Sequence, residues 1–127
     1  MFTLERIDHI AITVTDIERS VKWYKEVLGL EHYYAGEWGG VPTMVGKGGT
    51  CIALFKVKGT SPSPTPDWNT LAMMHLAFRA DRKNFEGAMK TLTEKGFEFE
   101  FRDHNISHSI YFKDPDGHEL EITTYEV

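Results

Sequence analysis

The chain repeats itself. A run of alternating side chains, a helix and three further strand-like runs occupy the first half, and the same order returns in the second. Residues 6–15 place Ile7, His9, Ala11 and Thr13 on one side and Asp8, Ile10, Ile12 and Val14 on the other, which is the two-residue period of a strand. Asp16 follows as an N-cap. Ile17, Val21, Tyr24, Val27 and Leu28 then recur at helical spacing, and Gly29 suits the stop. Strand-like runs come next at about 31–34, 43–45 and 50–57. In the second half, residues 73–79 set His75, Ala77 and Arg79 against Met74, Leu76 and Phe78. Asp81 caps a helix that carries Phe85, Met89 and Leu92 and stops at Gly96. Strands are expected at 97–102, 109–113 and 119–124, the last two joined by the turn Asp114-Pro-Asp-Gly.

An internal repeat of this kind decides the architecture. Each half makes a sheet with one face under its own helix, where Ile10, Ile12, Leu76, Phe78, Leu120 and Ile122 are expected. The opposite faces, which carry His9, His75 and Glu121, stay open until two halves close around a cavity. The expected class is α+β, with paired βαβββ modules in one domain spanning 1–127. Module 1 covers about 5–57 and module 2 about 72–127. The stretch between them, about 58–71, carries Pro62, Pro64 and Pro66, which fix the backbone and remove ladder donors, so it reads as a linker.

Composition narrows the partners. A formal net charge of -5 with no dominant basic patch argues against nucleic acid or an anionic membrane. No stretch has the length and apolarity of a membrane span or signal peptide. Cys51 is the single cysteine, which excludes an intramolecular disulfide, fits a reducing compartment and points to a cytoplasmic protein. It reads as an inert, buried thiol.

A single histidine on a strand is ordinarily structural. The repeat singles out His9 and His75, because they occupy equivalent places in the two halves. With Glu121 they form a set of two imidazoles and one carboxylate on separate strands. Such a set suits iron(II), manganese, nickel or zinc and leaves positions open for a small-molecule substrate. Glu119 reads as a solvated or cavity-lining acid rather than a ligand.

The motifs Asp8-His-Ile-Ala-Ile-Thr-Val, Trp23-Tyr-Lys-Glu-Val-Leu-Gly-Leu, His75-Leu-Ala-Phe and Tyr111-Phe-Lys-Asp-Pro-Asp-Gly-His-Glu-Leu-Glu-Ile span nearly the whole chain. Together they resemble the vicinal oxygen chelate superfamily of glyoxalases, bleomycin-resistance proteins and extradiol dioxygenases. The resemblance implies a glyoxalase-like half-barrel around a cavity and a homodimer. It also implies one divalent ion on His9, His75 and Glu121. Glyoxalase I-like lyases usually add a fourth ligand, a glutamate, at a position that here is Ala53. Fosfomycin-resistance thiol transferases resemble the chain around 109–118. They usually carry a threonine where Ala11 stands and a phosphonate-gripping arginine beyond the last ligand, so another substrate is expected. Extradiol dioxygenases share the order His104, Tyr111, Asp114-Pro-Asp-Gly and Glu121. That likeness implies Fe2+ as the favoured ion over Mn2+, Ni2+ or Zn2+, His104 as acid–base and Tyr111 as hydrogen-bond donor. Arg102 departs from their pattern. Bleomycin-resistance proteins, which sequester a drug without metal ligands, are the non-enzymatic alternative. Tyr33, Tyr34, Trp38 and Trp68 are candidate pocket-lining residues in either case.

Overall fold

A computed structural model describes residues 1–127 as two compact units, Met1–Pro62 and Ser63–Val127. The first unit contains β1 (Ile10–Val14), α1 (Ile17–Leu28), β2 (Glu31–Tyr33), a short 3-10 turn (Glu37–Gly40), β3 (Thr43–Lys47) and β4 (Thr50–Lys56). The second contains β5 (His75–Arg79), α2 (Arg82–Glu94), β6 (Glu100–Asp103), β7 (His108–Lys113) and β8 (Glu119–Thr124). Each sheet has four strands in the same arrangement, β1-β4-β3-β2 and β5-β8-β7-β6. In both, the first strand runs parallel to the last and the remaining neighbours are antiparallel. The α+β class and the repeat are therefore as the sequence predicts.

The caps form where the residues indicate. The Asp16 carboxylate accepts from the Arg19 N–H at 3.0 Å, and Asp81 accepts from the Asn84 N–H at 2.8 Å. Each bond satisfies a donor that the first helical turn leaves orphaned. Gly29 closes α1 at φ 68°, with its N–H on the Lys25 carbonyl oxygen. A left-handed residue there favours glycine.

Three strands start later than expected. β1 begins at Ile10, so His9 stands just before the strand rather than within it. The ladder with β4 begins at the pair Ile10–Ile52, two residues after β4 itself starts at Thr50. Likewise β5 begins at His75 rather than at 73, matching the start of β8 at Glu119. β6 begins at Glu100 rather than 97, where its ladder with β7 starts opposite Tyr111. The 3-10 turn was not foreseen. It occupies a glycine-rich stretch where Gly36, Trp38, Gly39 and Gly40 all take positive φ.

Burial follows the alternation. Val14, Tyr24, Val45, Ile52 and Leu54 are buried in the first unit. Phe85, Leu92, Ile110, Leu120 and Ile122 are buried in the second. Gly46 leaves room for the Tyr33 ring. A Cβ there would run into the Thr50 carbonyl oxygen and stand 2.9 Å from the ring.

The turn at Asp114 sets the register that matters for the site. The Asp114 Oδ1 accepts from the N–H groups of Asp116 and His118, both at 2.9 Å. Its backbone N–H donates to the His118 carbonyl oxygen, and Gly117 N–H donates to the Asp114 carbonyl oxygen, both at 3.0 Å. This knot pairs Lys113 with Glu119, and hence Tyr111 with Glu121 and Ser109 with Thr123. Slipping by one residue would turn Glu121 into the helix side. Asp114 is buried, so Asp114→Ala is expected to cost about 1–3 kcal/mol by leaving two N–H groups unpaired. A chemical-denaturation midpoint that does not fall would contradict this role.

Candidate metal and substrate site

Alternation puts His75, Ala77 and Arg79 of β5 on the sheet face away from α2. Glu119, Glu121 and Thr123 of β8 share that face, as do Ser109 and Tyr111 of β7. Glu121 lies opposite Ala77, whose small side chain leaves room above the strand. The carboxylate is the centre of the cluster and is 8% exposed as a residue. Its Oε2 lies 3.0 Å from His75 Nε2, and its Oε1 accepts from the Ser109 hydroxyl at 2.6 Å.

Two donors that are each about 2.0–2.2 Å from one cation, and roughly at right angles, stand about 3 Å apart. The His75–Glu121 pair therefore has the spacing of neighbouring ligands. In the metal-free protein the same spacing serves a hydrogen bond from the imidazole to the carboxylate. Glu119 Oε2 is 4.0 Å from His75 Nδ1, on the other side of the ring. A metal on Nε2 would need the ring proton on Nδ1, the nitrogen that faces Glu119.

Tyr111 is the next group. Its ring packs edge-on to His75 at 5.9 Å, and its hydroxyl lies 3.0 Å from His104 Nε2. The imidazole tautomer sets which of the two groups donates in this contact. Desolvation first, and the Glu121 charge second, push the Tyr111 hydroxyl above its ordinary range. It therefore remains a neutral donor at physiological pH. Of the neighbouring histidines, His104 is the one at this hydroxyl. His108 faces the helix side, where Arg82 Nη1 lies 2.9 Å from its Nδ1. Trp68, expected as a candidate lining residue, stands 6.2 Å from the His75 ring. Arg102 of β6 is exposed and pairs with Glu100 at 2.7 Å.

His9 belongs to the first unit. Its Nδ1 is 2.7 Å from Asp8 Oδ2, so the carboxylate holds the proton on Nδ1 and Nε2 is the nitrogen on offer. The structure thus brings His75 and Glu121 together, with Tyr111 and His104 beside them. Neither unit by itself gathers three His, Cys, Asp or Glu side chains into a ligand set.

The repeat also places Ala53. Ala11 pairs with Ala53 as Ala77 pairs with Glu121, so Ala53 is the first unit's counterpart of the glutamate. It is fully buried and brings no oxygen. Cys51 is half-buried, with Sγ 3.8 Å from Met44 Sδ; burial first, then the Asp8 charge, push its thiol up, which makes it a poor nucleophile. Tyr33, Tyr34 and Trp38 stack edge-to-face around the 3-10 turn.

The sequence reasoning missed Ser109 as a partner of Glu121. The contact is diagonal across two strands, and it can be read only once the Asp114 turn has fixed the register.

Twin βαβββ units with a histidine opening each and a carboxylate on the last strand define a chelating fold of the glyoxalase kind. The chain belongs to the Glyoxalase/Bleomycin resistance protein/Dioxygenase superfamily, whose family model matches residues 6–122. It is 28% identical over 119 residues to glutathione transferase FosA of Serratia marcescens, covering 94% of this chain and 80% of that protein. To metallothiol transferase FosB of Staphylococcus epidermidis it is 32% identical over 124 residues, covering 95% and 84%. Catechol-2,3-dioxygenase of Bacillus subtilis is 27% identical over 117 residues, and there the match covers 91% of this chain but 40% of the relative. A glyoxalase/dioxygenase crystal structure from Nostoc punctiforme superposes with a TM-score of 0.79 at 26% identity, covering 94% and 90%. These relatives include enzymes, and no helix of the chain is long and apolar enough to cross a membrane.

Proposed function

We propose that the chain is a divalent-metal-dependent enzyme that transfers a thiol to a small substrate chelating the ion through neighbouring oxygens. The observation that carries this reading is the 3.0 Å approach of His75 Nε2 and Glu121 Oε2 on one sheet face. His9, with its Nδ1 proton held by Asp8, is the third ligand. Ala53 at the counterpart of Glu121 supports a set of three ligands rather than the four expected of a glyoxalase I-like lyase. Likeness to two named thiol transferases over four-fifths of their length favours the transfer reaction.

When bound, the ion supplies Lewis-acid stabilisation of negative charge on a substrate oxygen. The chain's own residues do the rest. Tyr111, neutral and anchored by His104, donates a hydrogen bond to that oxygen. Trp68 and Tyr111 flank His75 and give the substrate an apolar wall. In the transfer to an epoxide, the thiol gives up its proton and its sulfur forms a bond to one ring carbon, that carbon–oxygen bond breaks, and the oxygen, kept on the neighbouring carbon, takes up the proton as a hydroxyl.

A second reading, extradiol dioxygenase, is favoured by the His104–Tyr111 contact of 3.0 Å. One pair of assays separates the two. Manganese-loaded protein is offered glutathione with a panel of oxygen-rich epoxides, and iron(II)-loaded protein is offered catechols. Metal-dependent thiol consumption that Glu121→Ala abolishes is expected. Oxygen uptake with catechols and no thiol loss would move the assignment to the second reading, and neither activity would overturn both.

A further inference from the structure

We infer that Ser109 is a positioning residue that restricts Glu121 to ligation through a single oxygen. The inference rests on the metal-binding reading above and concerns how the carboxylate is presented. Ser109 is fully buried, so no bulk water competes for its hydroxyl. That hydroxyl has one proton and two acceptors in reach, Glu121 Oε1 at 2.6 Å and Thr123 Oγ1 at 3.0 Å. The nearer acceptor carries the charge, and a charge-assisted bond is the shorter and stronger one, so the proton goes to Glu121.

Thr123 closes the other side of Ser109. Its Oγ1 also lies 3.3 Å from the His108 carbonyl oxygen, so it sits between the backbone of β7 and the serine. Ser109 and Thr123 are direct cross-strand partners, and the Asp114 turn holds them in that register. The two carboxylate oxygens of Glu121 are thereby given different work. Oε1 is tied to Ser109, and Oε2 is left facing His75 Nε2.

A carboxylate free to rotate can ligate through both oxygens and fill a position that a chelating substrate needs. With Oε1 occupied, that position stays open. The orientation is also fixed before the metal arrives, which lowers the ordering cost of binding.

The test uses the full chain stripped with a chelator and titrated with Co2+ against a competing chelator, with the visible Co2+ spectrum recorded. Ser109→Ala is expected to weaken Co2+ binding about ten-fold or more, in line with other outer-shell changes at metal sites, and to alter the spectrum. Ser109→Thr, which keeps the hydroxyl, is expected to restore both. A wild-type chain that binds no Co2+ would sink the metal reading itself. A wild-type chain that binds, with Ser109→Ala matching its affinity and spectrum, overturns the role of Ser109 alone. Should the alanine variant fail to fold, Ser109→Cys, which keeps the size and weakens the donor, makes the same comparison. Weaker binding with a changed spectrum supports the inference, and an unchanged titration overturns it.

Discussion

Glu121→Ala is expected to leave the purified chain without its divalent ion. Elemental analysis of wild-type protein purified without chelator should find about one ion per chain, and the variant should retain less than about a tenth of that. The reason is both charge and geometry. Glu121 is the only carboxylate on its sheet face that approaches His75 Nε2 within ligand spacing, at 3.0 Å. Removing it would delete a hard anionic ligand and leave the buried Ser109 hydroxyl with Thr123 Oγ1 as its acceptor. His75→Ala should have the same effect. Glu119→Ala should keep the ion, because Glu119 lies 4.0 Å from the other ring nitrogen and acts only through its charge. Glu121→Gln adds a finer comparison. The amide oxygen can still accept from Ser109, so the fold should hold, while the lost charge should still cost most of the metal. Loss of the ion in Glu119→Ala with retention in Glu121→Ala would reverse the assignment of these two residues.

The second large effect is on stability. Phe85→Ala is expected to destabilise the second unit by about 3–5 kcal/mol, since a buried phenylalanine loses both its transfer energy and its packing. Phe85 is fully buried at the start of α2, packs edge-on against Phe101 at 6.4 Å, and has the Arg82 guanidinium over its ring at 5.4 Å. It fastens the helix to the sheet face opposite the site. Against a total stability of about 5–15 kcal/mol, that is a large share. Thermal unfolding followed by circular dichroism should shift down by about 10 °C or more. Phe97→Ala, at a residue 36% exposed, should shift it far less. Equal shifts in the two variants would mean that α2 is not held by Phe85.

Much of this was legible in the residues. Asp16, Gly29, Asp81 and Gly96 mark the helix ends because backbone geometry and orphaned N–H groups demand those residue types there. The alternation of Ile10, Ile12 and Val14, and of Leu76 and Phe78, fixes which sheet faces turn to the helices, and hence that His75 and Glu121 share the opposite one. What stayed hidden depends on partners rather than on local pattern. His9 falls just outside β1 because the ladder with β4 begins at Ile10–Ile52, which no property of residues 6–15 reveals. The turn at Glu37–Gly40 needs four positive φ values in or beside it, and a run of glycines permits many conformations without choosing one. Ser109 is silent until the register is known. His104 could be separated from His108 only by seeing that β7 turns His108 toward Arg82.

We propose His9 as the residue that completes the ligand set begun by His75 and Glu121. The most direct measurement is calorimetric titration of chelator-stripped wild-type and His9→Ala chains with Mn2+ or Ni2+. About one ion per chain is expected for the wild type, with binding weakened by about two orders of magnitude or lost in the variant. Equal affinity and stoichiometry in the two proteins would contradict it.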